Sequence, residues 1–179
     1  MDADRDESRV GSAQEGRPLR LECLAVGTEL SYGETVNTNT AWMARRLAER
    51  GLAVPWHTVV DDDAGRLAAA FRTALGRSEV LWVTGGLGPT HDDRTVATLA
   101  GVVGVPLRRD TAKLAWIEGR FSERGLAMPP GNAKQADLPE GAEWLDNPIG
   151  TAPGLYWRLT WQGRPRTVLC FPGVPRELE

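Results

Sequence analysis

Short apolar runs alternate with amphipathic stretches along most of the chain. Leu19 to Val26 is an apolar run closed by Gly27, the pattern of a buried strand. Asn37 to Asn39 supplies cap chemistry for a helix over about Thr40 to Arg50, which Gly51 ends. Leu52 to Val60 predicts a second strand, and Asp61 to Asp63 caps a second helix. On that helix Ala64, Leu67, Ala68, Phe71 and Leu75 fall on one stripe. Glu79 to Thr84 predicts a third strand running straight into glycines. Two further helices are expected, Asp93 to Val103 with Val96, Leu99, Ala100 and Val103 inward, and Asp110 to Arg124 with Leu114, Ile117 and Phe121 on one face. Repeated strand and helix implies a mostly parallel sheet covered by helices on both faces, a three-layer α/β/α sandwich.

The last part of the chain changes period. Leu155, Trp157, Leu159 and Trp161 alternate with Tyr156, Arg158 and Thr160, Gln162 to Pro165 makes a turn, and Arg166 to Phe171 returns. This predicts an antiparallel hairpin at one edge of the sheet. Between the two regimes, Met128 to Gly154 is rich in Pro, Gly and Asn and reads as a long ordered loop with short helix. Loops of that length inside a compact domain usually serve function.

Composition narrows the classes. At 179 residues the chain fits one domain. Met1 to Pro18 has almost nothing to bury and is expected to be a disordered tail, so the folded domain spans residues 19–179. Arg176 to Glu179 reads as the first turn of a cut helix, as though the domain belonged to a longer protein. A net charge of −3 gives no bulk attraction to nucleic acid or a membrane surface. No apolar segment is long enough to span a bilayer and none resembles a signal peptide, so the cytoplasm is expected. Cys23 and Cys170 each lie within an apolar run and read as small buried hydrophobes.

Ligands of open α/β sheets bind beyond the carboxyl ends of the strands. After the first predicted strand come Gly27, Thr28 and Glu29, with Asn37 and Asn39 opening the next helix. After the third come Thr84, Gly85, Gly86, Leu87, Gly88, Pro89, Thr90, His91, Asp92 and Asp93. Glycines let backbone approach a ligand and expose N–H groups, and a helix start favours anions. The segment is no P-loop, because Gly-Lys-Ser/Thr is absent, and no dinucleotide fingerprint, because the third glycine is missing. Asp92 and Asp93 have two readings, N-capping of the next helix or holding a divalent cation (Mg²⁺, Mn²⁺ or Co²⁺) against phosphate. Glu29 reads as a solvated loop carboxylate or as a base, and His91 as an exposed loop residue. Lys134, one of only two lysines, follows Asn132 in the long loop. Gly150 and Thr151, then Pro172 and Gly173, mark two further tight turns.

Taken in order, these segments resemble the N-terminal domain of the competence/damage-inducible protein A (CinA) family. The resemblance runs from about Leu19 to Glu179. It rests on Gly27-Thr28-Glu29-Leu30 with Asn37-Thr38-Asn39, and on Thr84 to Thr90 with Asp92, Asp93 and Thr95. It rests further on Asn132 with Lys134-Gln135-Ala136, on Asn147 with Gly150 to Gly154, and on Pro172 to Pro175 with Glu177. Ser31-Tyr32 departs from the family's more aliphatic stretch before Gly33.

The resemblance implies a molybdopterin-binding-like fold, kinship with MogA and MoaB, and a homo-oligomer. It also implies metal-dependent hydrolysis of a nucleotide sugar such as ADP-ribose. On that expectation the glycine turn holds pyrophosphate, Asp92 and Asp93 hold metal, and Lys134 offsets developing charge. Water is then activated by the metal or by a carboxylate such as Glu29. Two rivals share the cradle, binding or adenylylation of molybdopterin and a non-catalytic nucleotide-sensing domain.

Overall fold

The computed structural model describes residues 18–178; the tail expected over the first eighteen residues lies almost wholly outside them. β1 (Leu21–Val26) leads through the short α1 (Thr28–Ser31) to α2 (Thr38–Ala48). β2 (Trp56–Val60), α3 (Ala64–Arg77), β3 (Val80–Thr84) and α4 (Thr95–Val103) follow, then β4 (Leu107–Arg109) and α5 (Thr111–Ser122). A 3-10 helix over Pro130–Ala136 precedes β5 (Asp137–Pro139) and β6 (Ala142–Leu145). The hairpin strands β7 (Gly154–Trp161) and β8 (Arg164–Phe171) and the short α6 (Pro175–Leu178) complete the order.

Six strands form one sheet in the order β2-β1-β3-β8-β7-β6, and β4 pairs with β5 apart from it. β2, β1, β3 and β8 run parallel, while β7 is antiparallel to both of its neighbours. The expected α/β sandwich with a mostly parallel sheet and a terminal hairpin is therefore present. One refinement concerns the edge: β6, inside the stretch expected to be loop, pairs with β7 and forms the outermost strand.

β1 is buried along its whole length, as a strand covered on both faces must be. A row across the sheet, Leu24, Val83, Cys170 and Leu155, is in direct register and almost fully buried. Leu67, Phe71 and Leu75 of α3 and Leu99 of α4 pack on that face. Met43 and Leu47 of α2 are buried outside that cluster and serve the other face. Burial pushes both thiols, Cys23 and Cys170, up to about 12, so each behaves as the small hydrophobe its surroundings suggest.

At the amino end of the sheet Glu22 is buried in β1. It is answered by a two-pronged ion pair from Arg77 (2.8 and 2.6 Å) and by the Thr58 hydroxyl at 2.7 Å. A buried carboxylate needs that full set of donors. The arrangement lies at the opposite end from the glycine loops and leaves the carboxyl end of the sheet to the ligand.

Candidate functional site

The carboxyl ends of β1, β3 and β8 lie side by side and frame a cleft of about 530 Å³. Its wall contains Gly27, Glu29, Gly85, Gly86, Gly88, Pro89, Thr90, Asp92, Asp93, Thr151, Pro172 and Gly173, all expected site residues. Asp62, Gln135 and Glu177 join them.

Close approach fixes the glycine loop. Gly85 has φ +99 and Gly86 φ +66, and both face obstacles: a Cβ on Gly85 would strike the Val26 carbonyl, and one on Gly86 the Thr95 hydroxyl. That hydroxyl donates to the Gly85 carbonyl at 2.8 Å, while Thr95 N–H donates to Gly86 O. The loop is thereby folded back onto the start of α4. The amides of Gly86, Leu87 and Gly88 find no acceptor among the described residues, so three successive residues of the cleft wall carry unpaired N–H groups. Such a run of backbone donors is an anion-binding concavity.

Asn39 and Thr84 brace this floor. The Asn39 amide donates to Thr84 Oγ1 at 2.9 Å and to the Gly173 carbonyl at 2.8 Å, and Thr84 Oγ1 donates to Pro172 O at 3.0 Å. Asn37 caps α2 by accepting from Thr40 N–H. Thr28 gives both its N–H (2.9 Å) and its hydroxyl (2.7 Å) to Asp62.

The capping expectation for the aspartates is not met. α4 begins at Thr95 with Arg94 as its cap residue and no side-chain cap, so neither aspartate caps the helix. Asp93 instead turns back, accepting the N–H (2.8 Å) and hydroxyl (2.6 Å) of Thr90 through Oδ2. Its carboxylate rests over Gly88, where an added Cβ would come within 2.6 Å of Oδ2. Asp92 is 79% exposed, with His91, also exposed, 3.5 Å away.

Lys134 does not present a free ammonium. Its Nζ donates to the Thr90 carbonyl and, at 2.8 Å, to the Asp93 carbonyl, bracing the turn from behind. Burial, more than any neighbouring charge, holds its pKa below the ordinary lysine value. Asn132 is buried and donates to Gln135 Oε1, whose amide donates to Leu87 O. These residues support the loop from below.

Two further carboxylates sit over glycines. Glu29 lies over Gly27, a Cβ there coming within 2.5 Å of its oxygen, and its carboxylate has no partner among the described residues. Glu177 lies over Gly150 and accepts from Asn147 at 2.6 Å. Neither Asp62 nor Glu177 was singled out as a site residue from sequence. In sequence Asp62 reads, with its neighbours, as cap chemistry, and Glu177 stands only within the Pro172 to Glu177 pattern.

The cleft lining therefore carries five carboxylates (Glu29, Asp62, Asp92, Asp93, Glu177) and no Lys or Arg. Among the described residues no three His, Cys, Asp or Glu side chains converge on one point as a metal cage. Hard oxygen donors with open positions nevertheless suit a divalent cation that completes its shell with ligand phosphate oxygens. Asp93 Oδ1, without a partner among the described residues and close over Gly88, is the donor best placed for that arrangement.

A glycine cradle at the carboxyl ends of a mostly parallel, helix-covered sheet defines a small-ligand-binding α/β domain. Residues 22–179 match the family model described as "Probable molybdopterin binding domain". The chain is 50% identical over 160 residues to a CinA-like protein of Gloeobacter violaceus, and 47% over 161 to one of Microcystis aeruginosa. Those alignments take in 88% and 90% of this chain but 36% and 38% of the relatives, so the chain spans well under half the length of the curated relatives it matches. Among solved structures it is similar to CinA of Thermoplasma acidophilum, described as of unknown function. The TM-score is 0.79 at 38% identity, covering 90% of this chain and 92% of that one. MoaB of Pyrococcus furiosus shares the fold, with a TM-score of 0.58 at 16% identity over 91% of this chain and 87% of that one. The chain belongs to the molybdopterin-binding domain family, in its CinA branch.

Among the described residues no helix is long and apolar enough to cross a membrane.

Proposed function

We propose that the cleft binds a phosphate-bearing heterocycle, a nucleotide or pterin phosphate, and that with a divalent cation it hydrolyses a nucleotide-sugar diphosphate such as ADP-ribose to AMP and ribose 5-phosphate. One observation carries this reading: three unpaired amides, Gly86 to Gly88, border a wall of carboxylates that contains no basic side chain. The amides favour phosphate while the carboxylates repel it, and a divalent cation reconciles the two. It would supply charge neutralisation and polarise the phosphoryl oxygens. Asp93, steadied by Thr90, is the residue to hold it. Asp92 is the second candidate, and Lys134 acts by bracing the turn that carries both.

Membership of a family described as a probable molybdopterin binding domain supports a second reading, in which the same cleft holds molybdopterin. The test is to incubate purified protein with ADP-ribose and Mn²⁺, with and without EDTA, and to follow AMP by chromatography. The hydrolase reading expects metal-dependent AMP; no AMP under any metal removes it, and tight binding of a pterin phosphate then supports the second. We also propose self-association, since β2 and β6 leave two sheet edges open; light scattering at high concentration should give a dimer or trimer mass, and a monomer mass excludes it.

A further inference from the structure

Of the five carboxylates in the cleft, two are committed to threonine donors, Asp62 to Thr28 and Asp93 to Thr90, and Asp92 points outward beside His91. Glu29 is unpartnered and therefore unoriented. Glu177 differs in being oriented by a buried side chain that is itself held, whereas Asp62 and Asp93 are clasped by threonines of exposed turns. Its Oε2 accepts the Asn147 amide at 2.6 Å, leaving Oε1 of this cleft-lining residue without a donor among the described residues.

Asn147 is itself immobilised. It is buried, its Nδ2 also donates to Ala152 O at 2.8 Å, and its Oδ1 accepts the N–H groups of Ile149 (3.1 Å) and Gly150 (2.9 Å). An amide with every polar atom fixed by backbone is a rigid orienter for the carboxylate it touches. Gly150 completes the seat, because any side chain there would occupy the space of the Glu177 carboxylate. A proton acceptor held by a second residue that is itself held is the arrangement expected of a general base.

We infer that Glu177 is the general base of the cleft and that Asn147 is its positioning residue. The inference rests on the hydrolase reading above. As a water oxygen attacks one phosphorus of the diphosphate, the water proton passes to Glu177 Oε1. The new P–O bond forms while the bridging P–O bond breaks, and the other phosphate leaves with the bond's electrons. The base then returns its proton to solvent.

Glu177→Gln keeps the shape and, through its own oxygen, the Asn147 bond, but cannot accept the proton. It should fold as the wild type does and bind AMP in the presence of Mn²⁺ equally well. Its kcat should fall by about a hundredfold or more with KM little changed. Glu177→Ala should regain part of the rate on addition of formate, a carboxylate small enough for the vacated seat. Asn147→Ala should lower kcat less, and the Glu177→Gln, Asn147→Ala pair should be no slower than Glu177→Gln alone, the loss of its bonds to Ala152, Ile149 and Gly150 appearing instead as a lower unfolding temperature. A wild type with no turnover removes the hydrolase reading and the base with it. An active wild type whose Glu177→Gln variant keeps full rate, or whose Glu177→Ala variant ignores formate, overturns the base alone and leaves the hydrolase reading standing.

Discussion

Asn39 on α2 and Thr84 at the end of β3 share a hydrogen bond of 2.9 Å, although 45 residues separate them. The same Asn39 amide reaches Gly173 O, and Thr84 passes its own proton to Pro172 O. One helix start is thus tied to the ends of two adjacent parallel strands, β3 and β8, beneath the three unpaired amides.

Removing that amide should cost stability as well as order. Asn39→Ala leaves Gly173 O and a buried Thr84 hydroxyl short of a donor, so unfolding should become easier by about 1–3 kcal/mol. Ligand affinity should weaken too, since Gly173 sits against the cradle, where a Cβ on it would lie only 3.3 Å from Gly85 Cα. Urea denaturation tests the first part and nucleotide titration the second; an unchanged midpoint would show that the bond is dispensable.

The glycines of the cradle should divide into two kinds. Gly86→Ala combines positive φ with a clash on Thr95, and should destabilise the fold by about 2 kcal/mol or more. Gly88 lacks the positive φ, and the atoms nearest its Cβ would be those of the Asp93 carboxylate. Gly88→Ala should therefore unfold near the wild-type temperature while losing most of its metal-dependent ligand affinity. Equal thermal penalties for both would mean that Asp93 cannot move aside.

Acid should reveal a second tie. Asp110 caps α5 by accepting from Lys113 N–H at 2.9 Å and also accepts the Trp144 indole N–H at 2.9 Å, joining α5 to β6. Those donors, the Lys113 N–H first, hold its carboxyl below the ordinary aspartate value of 3.8. A lowered folded pKa means that this contribution is complete above the unfolded value and disappears as pH falls through the folded one. Asp110→Asn has one oxygen for two donors, so it should be less stable than wild type at neutral pH. The gap should narrow below about pH 3.8. A gap of the same size in acid would assign the effect to packing.

The long-period features were legible in sequence because burial imposes them. α3 shows Leu67, Phe71 and Leu75 on one face, and the β7–β8 hairpin shows strict alternation, as expected. β4 and β5 were not foreseen. Each has three residues, and exposed Leu107-Arg108-Arg109 carries no alternation to read. β6 did carry a signal in Ala142 and Trp144, but the surrounding Pro, Gly and Asn masked it. In the site, the glycine loop announced itself, since only glycine tolerates its backbone and its contacts. The partners of the carboxylates did not. Whether Asp93 caps α4 or turns back to Thr90 depends on the three-dimensional course of three residues, and the seating of Glu177 over Gly150 joins segments 27 residues apart.

The charge of Asp93 gives the most direct test of metal-bridged binding. Its Oδ2 is occupied by Thr90, so Asp93→Asn can keep that clasp through the amide oxygen while replacing the free anionic oxygen with an NH₂ group. If the carboxylate only shapes the loop, the variant should bind nucleotide with the wild-type metal requirement. If it holds the cation, the variant should fold normally but lose metal-dependent turnover of ADP-ribose by about a hundredfold or more. Its affinity for Mn²⁺ in the presence of AMP, read by titration calorimetry, should fall in parallel, which separates loss of the cation from loss of the proton acceptor, because Glu177→Gln should leave that affinity intact. The wild type should be inert in EDTA and recover with Mg²⁺, Mn²⁺ or Co²⁺. Hydrolysis that persists in EDTA, or an Asp93→Asn protein at full rate, would exclude the bridge between Asp93 and phosphate.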